Sequence, residues 1–307
     1  MTNREVLCYN FIMPFFIGSA IWAHPGWVGN FFPKGTKQAD YLCEYAKRLT
    51  TVEGNTTFYA TPSKETLLRW VEETPDYFRF CPKLPRNVSH AGQLMPHLSE
   101  ALRFVELLRN LGPRLGPMFL QLPPRYSPKL LNDLQKFLAA WPREVQLAVE
   151  VRHLDWYSEP HHSALNTLLQ THDVGRVLID TRPIRTLSGA RVDSGTMQVR
   201  VEAAQERKPD VPVLPVRTAS FAFVRYIGHP DVEANAPLLD AWAEQMATWL
   251  KEGATVYAFC HAPDQTYAPP ICRELFDRLA ARVPLDPLPW DEADREAPAK
   301  YTQATLF

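Results

Sequence analysis

Eight short apolar, β-prone segments recur along the chain, and this recurrence constrains the fold more than any other feature of the sequence. They are Phe16–Trp22, Thr51–Phe58, Arg79–Leu84, Pro117–Leu122, Gln146–Val151, Arg176–Asp180, Phe221–Ile227 and Thr255–Cys260. Each is almost continuously apolar rather than alternating, which is typical of parallel strands covered by helices. Amphipathic helical patterns lie between most of them, so the chain predicts repeated right-handed β–α crossovers.

The number of these segments predicts how the sheet closes. Eight β–α units favour an α/β fold, a (β/α)8 barrel of the TIM type in a single domain, assigned to residues 1–284. An open, doubly wound sheet is the alternative. Such sheets usually carry a Gly-rich phosphate turn after the first strand, and Gly18-Ser19-Ala20-Ile21 offers no such turn.

Two stretches depart from the β–α rhythm. Residues 183–220 contain several arginines, including Arg185 and Arg191, and only one helix-like piece, near residues 196–207. Long segments of this kind in compact domains are usually functional or disordered, so we expect an insertion that precedes the seventh strand and folds over the rim. Residues 285–307 are Pro-rich and charged and are expected to form a tail outside the barrel.

Composition narrows the classes of partner and compartment. The 307 residues carry a formal net charge of −1, so any nucleic-acid binding has to be local rather than driven by the whole surface. Five scattered cysteines form no CxxC pair. This pattern argues against a disulfide framework or a structural zinc site and favours a cytoplasmic location. No apolar run approaches the roughly 18 residues of a membrane span.

Candidate functional residues lie at the ends of the apolar segments, because barrel enzymes place reactive groups at the C-terminal ends of their strands. Alternation predicts that Glu53, Asn55 and Thr57 share one strand face, and that Glu150 and Arg152 share another. The candidate acid–base residues are Glu53, Glu150, His153 and His261. The candidate ligand-binding residues are Trp22, His24, Asn55, Thr57, Tyr59, Lys83, Gln121, Arg152, Asp180 and Arg225.

These residues lead to a first hypothesis about function. Lys83, Arg152 and Arg225 suit a small anionic ligand, with phosphate favoured, because guanidinium groups bind phosphate in bidentate fashion and lysine adds a point charge. A carboxylate, Glu53 or Glu150, would then act as general acid or base. A histidine, His153 or His261, would relay protons. The competing interpretation is a purely structural network of salt bridges at the top of the barrel.

A second hypothesis is a metal-dependent hydrolase of the DNA-repair type, acting on nucleic acid. Strand-end His, Glu and Asp side chains can converge on a divalent ion. Neighbouring cations would repel such an ion, and neither an HxH nor an HExxH spacing occurs, so no metal or cofactor is assigned. Whether the protein is an enzyme stays open at this point. The architecture and the clustered ionisable groups are compatible with a hydrolase or a lyase.

Five motifs, in order along the chain, resemble those of the YecE-like proteins. They are Ile17–Trp22, Val52–Tyr59, Phe78–Pro85, Leu120–Pro124 and Val149–His153. The resemblance covers roughly residues 15–280 and implies a TIM-type barrel. It implies no established reaction, because the biochemical role of that family is unassigned. The segment Phe259–Asp264 departs from the asparagine-rich motif of many members and is similar to the subgroup of the family's namesake.

The last five residues predict a different kind of function. Gln303-Ala304-Thr305-Leu306-Phe307 resembles the peptide by which bacterial proteins dock on the DNA-polymerase sliding clamp. Leu306 and Phe307 would enter an apolar pocket, while Gln303 would hydrogen-bond at its edge. Ala304 stands where the motif prefers leucine, which should weaken binding. Folding of the two apolar residues back onto the barrel, or their pairing with a neighbouring molecule, is the alternative.

Overall fold

The computed structural model describes residues 14–186 and 195–296. Within these ranges, eight strands form one parallel sheet in the order β3-β2-β1-β8-β7-β6-β5-β4. They are β1 (Phe15–Ser19), β2 (Thr51–Gly54), β3 (Arg79–Pro82), β4 (Met118–Gln121), β5 (Leu147–Glu150), β6 (Gly175–Asp180), β7 (Phe221–Ile227) and β8 (Thr255–His261). The Leu84 N–H donates to the Phe119 carbonyl across the β3–β4 gap at 2.9 Å. The predicted TIM-type barrel is therefore confirmed.

Helices surround this barrel. In the described ranges they are α1 (Tyr41–Ala46), α2 (Lys64–Glu72), α3 (Arg86–Ser89), α4 (Leu98–Leu108), α5 (Leu131–Ala139), α6 (His161–Thr171), α7 (Arg182–Thr186), α8 (Gly195–Arg207), α9 (Ala236–Lys251), α10 (Ala268–Ala280) and α11 (Pro289–Glu296). The Ser63 hydroxyl accepts the Thr66 N–H at 3.2 Å and caps the N-terminus of α2. None of the helices in this part of the chain combines the length and apolar character that crossing a membrane requires.

The inside of the barrel is filled by an apolar, largely aromatic core. Its members are Cys81, Phe119, Ala148, Val177, Ala219, Phe221, Phe223, Tyr257 and Phe259, with Phe16 packed against them. The rings of Phe119 and Phe223 stack with centroids 5.5 Å apart, and those of Phe223 and Phe259 lie 4.7 Å apart. Burying an aromatic side chain of this size contributes about 2 kcal/mol to stability. The core also blocks the barrel axis, so the cavities at the two ends of the strands are separated from each other.

The insertion before β7 lies over the C-terminal rim of the barrel. Its helix α8 matches the helix-like piece expected near residues 196–207. The Arg200 guanidinium contacts the Asp264 carboxylate in the loop after β8. The Arg185 guanidinium donates to the carbonyls of Gln205 and Lys208 at 2.7 and 2.8 Å, which braces the end of α8. Arg191 lies outside the described residues.

The C-terminal segment differs from the expected free tail. Leu288 is buried, and the ring of Trp290 packs edge-on against Phe31 with centroids 4.8 Å apart. The expectation of a tail outside the barrel is therefore wrong for residues 285–296, because apolar side chains spaced among its prolines reach the core. The clamp-like residues Gln303, Leu306 and Phe307 lie outside the described residues.

Candidate functional site

Six polar side chains form a layer directly above the apolar core, and we call them the mouth cluster. They are Glu53, Lys83, Gln121, Glu150, Arg225 and His261. Side chains alternate between the two faces of a strand, so a residue two positions after an inward one also points inward. Phe119, Phe223 and Phe259 are inward core residues. The residues two positions later are Gln121, Arg225 and His261, which explains why these polar groups converge.

Arg225 is the centre of the mouth cluster. Its Nε and Nη2 donate to the two carboxylate oxygens of Glu53, each at 2.7 Å, and its Nη1 donates to Glu150. All three side chains are buried. The guanidinium also lies over the Phe119 ring, 4.9 Å from its centroid. A buried guanidinium shared by two carboxylates satisfies most of the donors and acceptors involved, which such a network requires.

The two carboxylates are held in their ionised form. Burial by itself would raise the pKa of Glu53, but Arg225 and His261 together outweigh it and hold that pKa well below its usual value. Burial likewise opposes ionisation of Glu150, yet Arg225 and Arg152 lower the pKa of Glu150 to about 2. The Arg152 Nε donates to Glu150 at 2.6 Å. Both carboxylates therefore act as fixed anions at neutral pH, which weakens the expectation that either one donates a proton.

His261 is bound to the same carboxylate as Arg225. Its Nε2 lies 3.0 Å from Glu53, and burial lowers the pKa of His261 to about 4 in spite of that neighbour. The imidazole is thus neutral at pH 7. An ionised carboxylate can only accept, so the proton sits on Nε2 and Nδ1 is left as an acceptor. The Asn55 Nδ2 donates to Glu53 at 2.7 Å and completes the carboxylate's hydrogen bonds.

Lys83 follows β3 and is held by uncharged partners. Its Nζ donates to the Gln121 amide oxygen at 2.8 Å and lies 4.0 Å from the centroid of the Phe58 ring. The Gln121 Nε2 in turn donates to Glu150 at 2.9 Å. Burial is the main cause that lowers the pKa of Lys83 to about 7, and Arg225 adds to it. Lys83 is therefore only partly protonated at neutral pH.

A cavity of about 400 Å³ opens above the mouth cluster. Its cationic lining consists of Lys83, Arg152, Arg207, Lys208 and Arg225. Lys208 forms no ion pair with any described residue, and burial together with Arg225 lowers its pKa to about 8. Sequence reasoning missed Arg207 and Lys208 as site residues. The signal was a basic pair at the end of the helix-like piece, but only the placement of α8 over the rim brings the pair to the cavity.

Tyr59 separates this cavity from a second one. The Tyr59 side chain is 81% exposed and lines both spaces. The second cavity, of about 420 Å³, is also lined by Arg86 and His90. Burial lowers the pKa of His90 to about 4, with the charges of Lys83 and Arg152 acting in the same direction. His90 is a further residue that sequence reasoning did not assign to the site. The contributions of Lys83 and Arg152 show that positive charge from the first cavity extends to this side of the rim.

Two predicted site residues lie away from the mouth cluster. The Asp180 carboxylate accepts from the Trp242 indole at 2.8 Å and pairs with Arg182 at 2.7 Å, so it faces α9 on the outside of the barrel. The His153 Nδ1 accepts the Asp155 N–H at 3.3 Å and caps the turn after β5. Asp180 and His153 were predicted to converge with the other candidates, and the structure places them elsewhere.

Three more candidates form structural contacts and do not line the cavity above the mouth cluster, although Thr57 lines the second cavity. Trp22 packs edge-on against Trp70, with ring centroids 5.1 Å apart. The His24 Nε2 lies 3.1 Å from the Thr266 hydroxyl in the loop after β8. The Thr57 hydroxyl lies 2.7 Å from the Gly54 carbonyl and 2.6 Å from that of Lys83, where it ties two strand ends together.

The second apolar segment also ends differently from the prediction. Strand β2 stops at Gly54, and Asn55–Phe58 form a 3₁₀ helix. The predicted sharing of one strand face by Glu53, Asn55 and Thr57 is therefore wrong. Asn55 still reaches Glu53, because the turn of the 3₁₀ helix brings its amide back over the strand end.

Residues 14–186 and 195–296 contain no ligand set for a metal ion. No three His, Cys, Asp or Glu side chains there are placed to hold an ion together. The two carboxylates of the mouth cluster are occupied by guanidinium and amide donors. Arg225 already supplies the positive charge between them, so a divalent ion would have to displace it.

Comparison with known proteins places the chain among similar sequences and folds. Residues 16–293 match the family model described as "Protein of unknown function DUF72". The chain is 37% identical over 270 residues to the UPF0759 protein YecE of Escherichia coli K12, covering 88% of this chain and 94% of the relative. A crystal structure of a DUF72 family protein from Enterococcus faecalis aligns with a TM-score of 0.63 at 17% identity, over 87% of this chain and 98% of that one. One from Thermotoga maritima gives 0.62 at 19% identity, over 87% and 99%. The two structures support the barrel fold, and the expected YecE-like resemblance is confirmed.

Proposed function

The chain belongs to the DUF72 family of unknown function, and we propose that it binds a small phosphate-bearing anion in the cavity above the mouth cluster. One observation carries the proposal. Five cationic side chains line a cavity whose neighbouring anions, Glu53 and Glu150, lie fully buried beneath it. Cations that outnumber the anions around one space favour an anionic ligand.

The cations differ in how free they are to bind. Arg225 is used in full by its two carboxylates. Arg152 donates its Nε to Glu150, and its two Nη atoms form no hydrogen bond with any described residue, so they can donate to a ligand. Lys208 faces the cavity from the end of α8. We therefore assign the anion to the space between Arg152 and Lys208, with Lys83 and Arg225 adding charge behind it.

Phosphate suits this arrangement better than a lone carboxylate does. Its oxygens can accept from a guanidinium edge and from an ammonium group at the same time. A cavity of about 400 Å³ is at the lower end of the range for small-molecule sites. The ligand class that fits is a small phosphate ester rather than a polymer. The described residues provide no ligand set for a metal ion, so they do not support the hypothesis of a metal-dependent hydrolase.

Isothermal titration calorimetry with inorganic phosphate and with ribose 5-phosphate tests the proposal. We expect binding by the full chain, and a loss of affinity of about tenfold or more in Arg152→Gln and in Lys208→Gln, because each removes a charge-assisted hydrogen bond. Lys136→Gln, on the exposed side of α5, is the matched control and should bind as the wild type does. The proposal would be refuted if neither ligand bound at about 10 mM, or if all variants bound with equal affinity.

A further inference from the structure

Lys83 is set apart from the other cations of the cavity by the kind of partners it has. Among the described residues, the only hydrogen-bond acceptor of its Nζ is the neutral amide of Gln121, and Nζ forms no ion pair there. Its Nζ lies 4.0 Å from the centroid of Phe58 and 5.5 Å from that of Phe119, so two aromatic rings shield it from water. An amine on the wall of a cavity, without a carboxylate of its own, can lose its proton and present a lone pair.

The charges around Lys83 come from several elements of the fold. The cations are Arg225 on β7, Arg152 after β5 and Lys208 after α8, and the anions are Glu53 on β2 and Glu150 on β5. Both anions are bonded directly to arginines, and only Glu150 is linked to Lys83, through the amide of Gln121. The three cations outnumber the two anions, so the electrostatic field at Nζ is positive. A desolvated lysine beside other cations is the environment that activates amines as nucleophiles.

We propose that Lys83 is a nucleophilic amine that forms an imine with the carbonyl carbon of an aldehyde or ketone bound in this cavity. The proposal rests on the proposed function, since the phosphate group of the same ligand would be held by Arg152 and Lys208. It narrows the ligand class to phosphorylated carbonyl compounds. The lowering of the pKa of Lys83 to about 7 agrees with this role, because roughly half of the amine is then neutral near pH 7.

The chemical step balances without an oxidant or reductant. The Nζ lone pair forms a bond to the carbonyl carbon, the C=O π pair moves to oxygen, and one proton passes from nitrogen to that oxygen to give a carbinolamine. The nitrogen lone pair then expels the hydroxyl group, which takes one further proton and leaves as water. Lys208, whose pKa is lowered to about 8 by burial and by Arg225, faces the same cavity and can supply that proton.

Reductive trapping with a matched pair of aldehydes tests the proposal. The full chain is treated at pH 7.5 with glycolaldehyde or with glycolaldehyde phosphate, in the presence of cyanoborohydride, and the modified lysines are quantified by peptide mass spectrometry. The reductant delivers hydride to the imine carbon and leaves a stable secondary amine. We expect Lys83 to be labelled at least about tenfold faster than Lys136, because a large fraction of the Lys83 amine is neutral at this pH and Lys83 faces the cavity. The phosphorylated aldehyde should increase that preference further.

Variants separate this proposal from the proposed function. Lys83→Met should lose the preferential adduct while keeping the wild-type circular dichroism spectrum, and Lys83→Arg serves as a second variant that retains the charge. Labelling of Lys83 no faster than of Lys136, or labelling confined to Lys208, would overturn the imine proposal. Phosphate binding in calorimetry without a Lys83 adduct would refute the imine alone, whereas a Lys83 adduct with glycolaldehyde and no phosphate binding would refute the phosphate site alone.

Discussion

Arg225 and Glu53 are 172 positions apart in the sequence, yet the guanidinium of one donates to both oxygens of the other at 2.7 Å in a buried bidentate pair. The pair joins β7 to β2 across the top of the barrel. A third partner, Glu150 on β5, shares the same guanidinium. The arrangement links three separate strands through one side chain, so it serves both the stability of the barrel and the shape of its cavity.

The first prediction concerns this guanidinium. Arg225→Met should lower the free energy of unfolding by about 3–5 kcal/mol, because it leaves two buried carboxylates without their cation. Urea denaturation followed by circular dichroism measures the change. The control is Arg282→Met, which removes exposed ion pairs to Asp240 and Glu244 and should cost at most about 1 kcal/mol. Similar losses in the two variants would contradict a special role for the buried pair.

The second prediction concerns pH and His261. The pKa of His261 is about 4 in the folded protein, against an ordinary value of 6.5. Between these values the unfolded chain binds more protons, so the free energy of unfolding should rise with pH from about 4 to 6.5. The expected span of this contribution is up to about 3 kcal/mol. His261→Gln should reduce the slope of this part of the profile, and His90, whose pKa is also lowered to about 4, should contribute to the slope that remains. Urea denaturation at a series of pH values measures both slopes.

Glu150 provides an internal reference for the same profile. Its folded pKa is about 2, against an ordinary value of 4.5, so the stability it contributes is present above 4.5 and is lost as the pH falls toward 2. Wild type and His261→Gln should both lose stability in that lower range. A profile in which His261→Gln keeps the full slope between pH 4 and 6.5 would show that another group is responsible.

The third prediction concerns the contact between β1 and β2. Gly18 pairs with Thr51, and a Cβ atom at Gly18 would lie 1.8 Å from the Thr51 carbonyl oxygen. Gly18→Ala should therefore destabilise the fold by at least about 3 kcal/mol, because backbone on both sides of the contact has to move. In Gly253→Ala a positive φ of 83° is the only strain, since no described atom lies within 4 Å of the new Cβ. That control should cost about 1 kcal/mol in thermal and urea denaturation. Equal losses of stability in the two variants would show that the close contact with Thr51 is not the source of the destabilisation.

The fourth prediction concerns how α8 is held over the rim. Arg200→Ala removes the contact with Asp264 and should increase amide exchange across α8 by about 1.5- to 5-fold, as expected for an exposed ion pair. Hydrogen–deuterium exchange with mass spectrometry reports it. Glu202→Ala is the control, because Glu202 is an exposed residue of the same helix whose hydrogen bond to Gln198 stays within α8. If both variants exchange alike, the contact with Asp264 does not hold the helix.

The fifth prediction concerns the end of the chain. We propose that residues 303–307 bind the DNA-polymerase sliding clamp through Gln303, Leu306 and Phe307. A labelled peptide of residues 297–307 should then bind the clamp in fluorescence anisotropy, with weak affinity because the chain must be ordered on binding. Changing Leu306 or Phe307 to alanine should abolish the signal. Absence of binding at high micromolar clamp, or binding that survives both changes, would remove the proposal.

The sequence by itself determined the barrel and the approximate position of every strand. Eight apolar segments separated by helical patterns leave little choice, because parallel strands need crossovers and covered faces. It also located the strand ends that carry polar groups. The sequence predicts six polar site residues from their positions within or just after apolar segments, and the fold brings all six together: Glu53, Lys83, Gln121, Glu150, Arg225 and His261.

Only the tertiary structure decided which polar strand ends face the cavity. Glu150 and Asp180 each end a buried strand. Glu150 lies two positions after Ala148, which points into the barrel, so Glu150 points inward as well. Asp180 lies two positions after Leu178, which packs toward the helices, so Asp180 points outward. A strand that is apolar on both faces gives no alternation from which inward and outward can be read. The placement of Lys208 is likewise tertiary, since it depends on α8 lying across the rim. Local pattern fixes the order of the elements, while the packing of the barrel interior fixes which side chains meet.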